Sequence, residues 1–203
     1  NYNIPDWMGT EEFKVLMSYV EPYSFKDKFT MPKYIINAGS DEFFSTDSWR
    51  FYYEELPKNK LIRYVPNANH SLSGEYLTND LISFFYRIVN NIDLPILEWE
   101  LVDGNLDVYL DYDGEYSVSI WKAFNQDGRD FRLWQEGELW TKSDMKKNED
   151  NKYNIKLEIN NTGYQAIMVE FTLDQDSDFP LKISTGPYVL PNSYPYEKYE
   201  PLK

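Results

Sequence analysis

Two residues of the chain combine the side chains and the spacing that acid–base chemistry requires. Asp41 follows the apolar run KYIINA, and His70, the single histidine of the sequence, follows the run KLIRYV. A carboxylate that orients a neutral imidazole lets the ring take a proton from an attacking hydroxyl and return it to a leaving group. The sequence therefore predicts Asp41 as the orienting acid and His70 as the general base of a catalytic site.

The elements around these residues favour a parallel sheet. KYIINA and KLIRYV are typical of short buried strands, and the segment SWRFYYEEL between them has the apolar spacing of a helix. With a helix predicted on either side, the order is αβαβα, which favours parallel strands flanked by helices. Adjacent parallel strands end at one edge of the sheet, where ligands bind, so Asp41 and His70 are expected to meet there.

The three helices have recognisable starts and faces. Thr10 is predicted to cap the first helix, whose apolar residues recur at helical spacing in TEEFKVLMSYV. Asp47 is an alternative orienting acid, but its place before SWRFYYEEL favours the role of an N-cap. The third helix, in GEYLTNDLISFFYRIVNNI, is expected to pack on a sheet through an apolar stripe formed by Leu77, Leu81, Phe84, Phe85 and Ile88.

The pattern changes near Leu94 and Pro95, where alternation of apolar and polar residues begins. A hairpin is predicted across Asp113 and Gly114. With RDFRLWQ, GYQAIMVEFTL and LKISTGPYVL among them, roughly seven strands are predicted, which fits an immunoglobulin-like or fibronectin-like β-sandwich. The predicted fold class is therefore α/β plus all-β, with domains at residues 1–94 and 95–203.

A hydrolase site of this kind needs a nucleophile that the chain does not contain. The order Asp41 then His70 is that of the last two members of an α/β-hydrolase triad, whose serine lies in a G-x-S-x-G turn, and no such turn occurs here. Two strands are also too few for a stable parallel sheet. We expect the remaining strands and the serine in an upstream part of the same protein; otherwise the chain is inactive.

Composition excludes several partners. The 203 residues carry a net charge of −14, which repels nucleic-acid phosphates, and no apolar run is long enough to span a membrane. There is no cysteine. The carboxylates of DQDSD lack the glycine and the glutamate of a calcium loop, so neither a metal nor a cofactor is predicted. Asn69 and Asn160 begin glycosylation sequons, which matter only in a secreted protein.

Two further motifs have competing interpretations. The block RDFR, residues 129–132, could form an interface or an internal ion pair, and a structural role at a strand entrance is preferred. The tryptophans of the second half could form a binding platform, but packing in a sandwich core is the favoured interpretation. They are Trp121, Trp134 and Trp140.

Several blocks resemble a known family. MPKYIINAGSDEFFSTDSWRFYYEELP, KLIRYVPNANHSL, WKAFNQDGRDFRLW and GYQAIMVEFTL are similar, in this order, to PhoPQ-activated pathogenicity-related proteins. The family includes secreted eukaryotic autocrine proliferation repressors, and the resemblance covers about residues 20 to 191 as the C-terminal portion of such a protein.

The resemblance implies the C-terminal part of an α/β-hydrolase fold followed by a β-sandwich. It also implies secretion and, by motif match, Asp41 and His70 as acid and base acting on a peptide or ester substrate, with peptidase-like hydrolysis. The alternative it implies is an autocrine signalling protein that represses proliferation through a cell-surface receptor and keeps the hydrolase fold as a scaffold.

Overall fold

A computed structural model describes residues 4–73, 77–157, 162–197 and 200 of the chain. This part combines helices with one parallel pair of strands and two antiparallel sheets. Within the described residues, no helix has the length and apolar character needed to cross a bilayer.

The first part of the chain alternates helices and strands. Helix α1 spans Glu11–Val20, and its start is the predicted one, because the Thr10 hydroxyl accepts a hydrogen bond from the Phe13 N–H at 3.2 Å. The 3-10 helix Ile4–Trp7 precedes α1. After α1 come the 3-10 helix Pro22–Lys28, strand β1 (Lys33–Ala38), the 3-10 helix Ser48–Phe51, strand β2 (Lys60–Val65) and helix α2 (Thr78–Val89).

Strands β1 and β2 form a parallel pair. Their register runs without a break from Lys33 opposite Lys60 to Ala38 opposite Val65. The predicted parallel arrangement is confirmed for these strands. Because they are in register, their carboxyl ends stop side by side, and the loops that leave them start at the same edge.

The second part of the chain is mostly antiparallel. Its elements are β3 (Ile96–Val102), β4 (Asn105–Asp111), β5 (Tyr116–Asn125), α3 (Leu133–Glu136), β6 (Thr141–Met145), β7 (Lys152–Lys156), β8 (Tyr164–Leu173), β9 (Leu181–Ser184) and β10 (Tyr188–Leu190). One sheet has the order β3-β4-β7. The other has the order β10-β8-β5-β6, and β9 also pairs with β8.

The two antiparallel sheets share one hydrophobic core. Leu106 and Leu110 of β4 are fully buried in the same cluster as Phe171 of β8. A second cluster joins Tyr64 of β2 to Met168 of β8, so the parallel pair packs directly against the larger antiparallel sheet. Each such buried side chain contributes roughly 1.5 to 3 kcal/mol relative to an exposed one.

The predicted hairpin at Asp113 and Gly114 is wrong. Strand β4 pairs with β3 and β7, whereas β5 pairs with β6 and β8, so the chain changes sheets at this turn. The observed two-residue hairpin lies at Asp103 and Gly104, where φ is 49° and 78°. Two consecutive positive φ angles are what a type I′ turn requires.

Other elements also differ from expectation. The predicted helix in SWRFYYEEL shrinks to the 3-10 turn Ser48–Phe51, and RDFRLWQ is not a strand, because it ends in the short helix α3. LKISTGPYVL is divided into β9 and β10 around Gly186, which approaches the Trp49 ring too closely for a side chain. Trp140 is buried and Trp121 is partly buried against the second core cluster, but Trp134 is exposed.

The apolar stripe predicted for α2 is covered only in part. Leu77 and Phe84 are partly buried against hydrophobic core clusters. Leu81 and Phe85 are 50% and 67% exposed, and the buried side chains of the helix are Asp80, Ser83 and Arg87. Ion pairs orient the helix, since Asp80 bonds to Arg63 of β2, and Arg87 donates to Asp174 after β8 at 2.5 Å. Burying these charges without their partners would cost several kcal/mol.

Candidate active site at the carboxyl edge of the parallel strands

The loops that leave β1 and β2 remain joined after the strands end. The Gly39 N–H donates to the Val65 carbonyl at 2.8 Å, and the Ser40 N–H donates to the Ala68 carbonyl at 3.1 Å. A Cβ atom on residue 39 would lie 3.0 Å from the same Val65 oxygen. Glycine therefore permits the close approach of the two loops, and the next residue is Asp41.

The structure brings the Asp41 carboxyl and the His70 ring together. Nδ1 of His70 lies 3.0 Å from Oδ2 and 3.2 Å from Oδ1 of Asp41, although the residues are 29 positions apart in sequence. The Asp41 side chain is only 9% exposed, and that of His70 is 45% exposed. A carboxylate accepts hydrogen bonds, so this contact favours the tautomer that carries the ring proton on Nδ1.

Short local bonds fix the orientation of the carboxyl. Oδ1 of Asp41 accepts the Phe43 N–H at 2.7 Å and the Phe44 N–H at 3.1 Å. The His70 backbone N–H in turn donates to the Glu42 carboxylate at 2.9 Å. Residues 41–44 therefore hold both the acid and the backbone of the histidine.

Two aromatic rings flank the imidazole. The Phe43 ring lies edge-on at 4.9 Å between centroids, and the Phe44 ring is tilted at 5.5 Å. Both phenylalanines are otherwise exposed. They limit the directions from which water reaches the His70 ring, and they present an apolar surface beside it.

The arrangement can perform general base chemistry. With a proton on Nδ1, the lone pair of Nε2 is available to accept a proton from a nucleophile. Among the described residues, none donates or accepts a hydrogen bond at His70 Nε2, and no serine hydroxyl bonds to the ring. The catalytic roles of Asp41 and His70 stay a prediction.

A cleft of about 330 Å³ adjoins the carboxylate. It is lined by residues 41–46, by residues 129–132 of the connection between β5 and β6, and by Tyr196, which follows β10. Both parts of the chain therefore contribute to the surroundings of Asp41.

Asp47 has a different role from the predicted N-cap. Its side chain makes no capping bond and is fully buried, and Oδ2 accepts from Arg129 at 2.6 Å and from Arg50 at 3.2 Å. The Arg129 side chain is 6% exposed, and its guanidinium lies 4.5 Å from the centre of the Tyr194 ring. A buried carboxylate needs a charged partner more than a single N–H donor.

Sequence reasoning missed the pairing of Arg129 with Asp47. The two residues are 82 positions apart and belong to segments with different predicted folds. The remaining charges of the RDFR block do form an internal ion pair, in which Arg132 Nε donates to Asp130 at 2.8 Å. The hydrogen bond from Arg132 lowers the pKa of Asp130 below its ordinary value.

Metal binding and glycosylation are the other functions that the sequence raised. No group of three or more histidine or carboxylate side chains in the described residues could hold a metal ion. Asp174, the first carboxylate of DQDSD, bonds to Arg87 and to Tyr112. The Asn69 side-chain oxygen accepts the Ser73 hydroxyl at 2.9 Å, while Asn160 lies outside the described residues.

Comparison with known proteins gives two matches. A sequence profile of PhoPQ-activated pathogenicity-related proteins matches residues 1–132 of the chain. Autocrine proliferation repressor protein A of Dictyostelium discoideum is 26% identical over 220 residues, which cover 95% of this chain and 44% of the relative. The chain thus spans less than half the length of that relative. No solved structure matches.

Proposed function

The chain belongs to the PhoPQ-activated pathogenicity-related protein family, and we propose that it supplies the acid and the base of a serine hydrolase site. The observation that carries the proposal is the 3.0 Å contact between Asp41 Oδ2 and His70 Nδ1 at the carboxyl edge of two parallel strands. In this proposal Asp41 fixes the tautomer of the ring and stabilises the imidazolium that forms during the reaction.

The proposed reaction is hydrolysis of a peptide or ester. His70 Nε2 takes the proton of a serine hydroxyl as that oxygen attacks the substrate carbonyl, and it returns the proton to the leaving amine or alcohol. Water then repeats the attack on the acyl intermediate with the same base. The serine is proposed to lie in a part of the protein upstream of this chain.

The finer architecture is part of the same proposal. Residues 1–94 are proposed as the end of an α/β-hydrolase domain and residues 95–203 as a β-sandwich of immunoglobulin or fibronectin type. The two-stranded parallel sheet supports this, because such a sheet needs further strands. Exposed apolar side chains on α1 and α2, Leu16 and Phe85 among them, would be covered by the upstream part.

Covalent labelling of the full-length protein tests the enzyme. A fluorophosphonate probe reacts with an activated serine, so the wild-type protein is expected to be labelled. His70→Ala and Asp41→Asn should each slow labelling by roughly 10² to 10⁴-fold, since the base is lost or misoriented. Asp176→Asn, at an exposed carboxylate, is the matched control and should be labelled at the wild-type rate. A wild-type protein that remains unlabelled removes the enzyme proposal.

A second candidate function rests on the name of the curated relative. As an autocrine proliferation repressor, that protein supports the proposal that this chain is part of a secreted protein that slows cell division through a cell-surface receptor. Purified full-length protein, added to a culture of the cells that produce it, should lower the growth rate. If His70→Ala represses growth as well as the wild type does, signalling does not need hydrolysis; if neither protein represses, the candidate fails.

A further inference from the structure

One connection from the second part of the chain contacts both loops of the candidate site. Between β5 and β6, the Leu133 N–H donates to the Ser40 carbonyl at 3.0 Å, and the Trp140 indole N–H donates to the Gly39 carbonyl at 3.2 Å. These two acceptors immediately precede Asp41. The connection thus fixes the backbone from which the acid projects.

The same connection also holds the loop that carries the histidine. The Asn67 side chain accepts a hydrogen bond from the Trp140 backbone N–H at 2.9 Å and donates one to the Trp140 backbone carbonyl at 2.9 Å. Asn67 has a positive φ of 53° and lies three residues before His70. A residue in this strained region persists only where its surroundings determine the conformation, and here Trp140 supplies two of the bonds that do so.

A buried ion pair anchors the connection at its other end. Arg129 donates to Asp47, on the loop that carries Asp41, and both side chains are nearly or fully buried. Three anchors therefore join residues 129–140 to the two loops: Arg129 on Asp47, Leu133 on Ser40, and Trp140 on both Gly39 and Asn67.

We infer that Arg129 and Trp140 are positioning residues for the Asp41–His70 pair, so that the sandwich part of the chain sets the geometry of the hydrolase site. That these residues position the pair follows from the hydrogen bonds alone. That the positioning matters for catalysis rests on the proposed function. Two hydrogen-bonded side chains on loops keep a precise geometry only when the backbone of both loops is fixed. This matters because a misplacement of about 1 Å can lower the reaction rate roughly 100-fold.

Two variants and a matched control test the inference. Arg129→Met removes the anchor on Asp47, and Trp140→Phe removes the indole donor to Gly39 while it keeps an aromatic ring. Arg87→Met is the control, since Arg87 also forms a buried ion pair, with a side chain 5% exposed, but bonds to Asp174 and Tyr112, away from both loops. Arg129→Lys should restore part of the positioning, because a positive charge again faces the Asp47 carboxylate.

Two readouts separate positioning from stability. Nitrogen-15 NMR of the His70 ring reports whether the neutral ring keeps its proton on Nδ1, and the rate of fluorophosphonate labelling of the full-length protein reports the chemistry. For Arg129→Met and Trp140→Phe we expect a mixture of tautomers and labelling roughly 10 to 100-fold slower. Arg87→Met is expected to keep the wild-type tautomer and labelling rate, although unfolding is easier.

The outcomes distinguish this inference from the enzyme proposal. If the variants of Arg129 and Trp140 keep the wild-type tautomer and labelling rate while they lose stability, the connection is only structural and the inference is overturned. If the tautomer shifts in these variants but no protein is labelled, the positioning holds and the enzyme proposal fails.

Discussion

Two aspartates on one loop, six positions apart, have opposite surroundings. Asp41 faces a half-exposed ring that can gain and lose a proton, whereas Asp47 faces Arg129, whose charge is permanent and whose side chain is buried. A carboxylate with a titratable, accessible partner can take part in proton transfer. A carboxylate whose buried partner keeps its charge can only stabilise the fold. The loop carries one aspartate of each kind.

Among the substitutions that test this difference, the one at Asp47 is expected to have the largest effect, and the effect is on stability. Asp47→Asn leaves the buried Arg129 guanidinium without a charged partner, which should lower the free energy of unfolding by roughly 3 to 5 kcal/mol. Urea unfolding measures it. The exposed Asp176→Asn is the control and should change stability by less than about 0.5 kcal/mol. A loss at Asp47 as small as that of the control would mean that the ion pair does not hold the loop.

Substitution of Gly39, which lies between β1 and the two aspartates, should have the next largest effect on stability. Gly39→Ala places a Cβ atom 3.0 Å from the Val65 carbonyl and 3.2 Å from the Trp140 indole nitrogen. The loops must separate to accept it, so we expect a loss of about 1 to 3 kcal/mol in urea unfolding. Gly128→Ala, where a Cβ meets nothing within 4 Å, is the matched control. Equal stability of the two variants would contradict the close approach.

At Asp41 itself the expected stability change is small. Asp41→Asn keeps an oxygen that can accept the Phe43 and Phe44 N–H groups, and its partner ring is half-exposed, so stability should stay within about 1 kcal/mol of the wild type. Labelling of the full-length protein should nevertheless fall as described above. A variant that is severely unfolded would show that Asp41, like Asp47, is structural.

Asp130 is intermediate between Asp41 and Asp47. The charge of its partner Arg132 is permanent, but the Arg132 side chain is partly exposed. The hydrogen bond from Arg132 lowers the pKa of Asp130 from 3.8, so the unfolded chain takes up this proton at a higher pH than the folded chain. The stabilisation is complete above the ordinary pKa and is lost as the pH falls through the lower folded value. Urea midpoints measured across acidic pH should therefore fall less steeply for Asp130→Asn than for the wild type, and identical slopes would contradict the shift.

The sequence was sufficient to predict local features of the site. Alternation of segments predicts β1 and β2 as parallel neighbours, and strand ends place Asp41 and His70 on adjacent loops. Capping chemistry also predicts the start of α1 at Thr10. These inferences depend on residues within one element or on one crossover, where geometry leaves few alternatives.

Long-range pairing was beyond the reach of the sequence. The partner of Asp47 comes from the connection between β5 and β6, so the local position of Asp47 before SWRFYYEEL suggested a helix cap instead. Asp103–Gly104 and Asp113–Gly114 have the same composition, and strand pairing and backbone angles in the structure identify the first as the hairpin. The apolar stripe of α2 predicted only part of the buried face, which holds Phe84 but also the ion-paired Asp80 and Arg87.

The most direct test of the account is the tautomer of the His70 ring in the wild-type chain. His70 is the single histidine of the sequence, so a long-range nitrogen-15 NMR spectrum at a pH where the ring is neutral contains one imidazole. The contact with Asp41 predicts a protonated Nδ1 and an unprotonated Nε2, the form in which His70 can act as a base. A ring that carries its proton on Nε2 would contradict the pairing and, with it, the proposed hydrolase site.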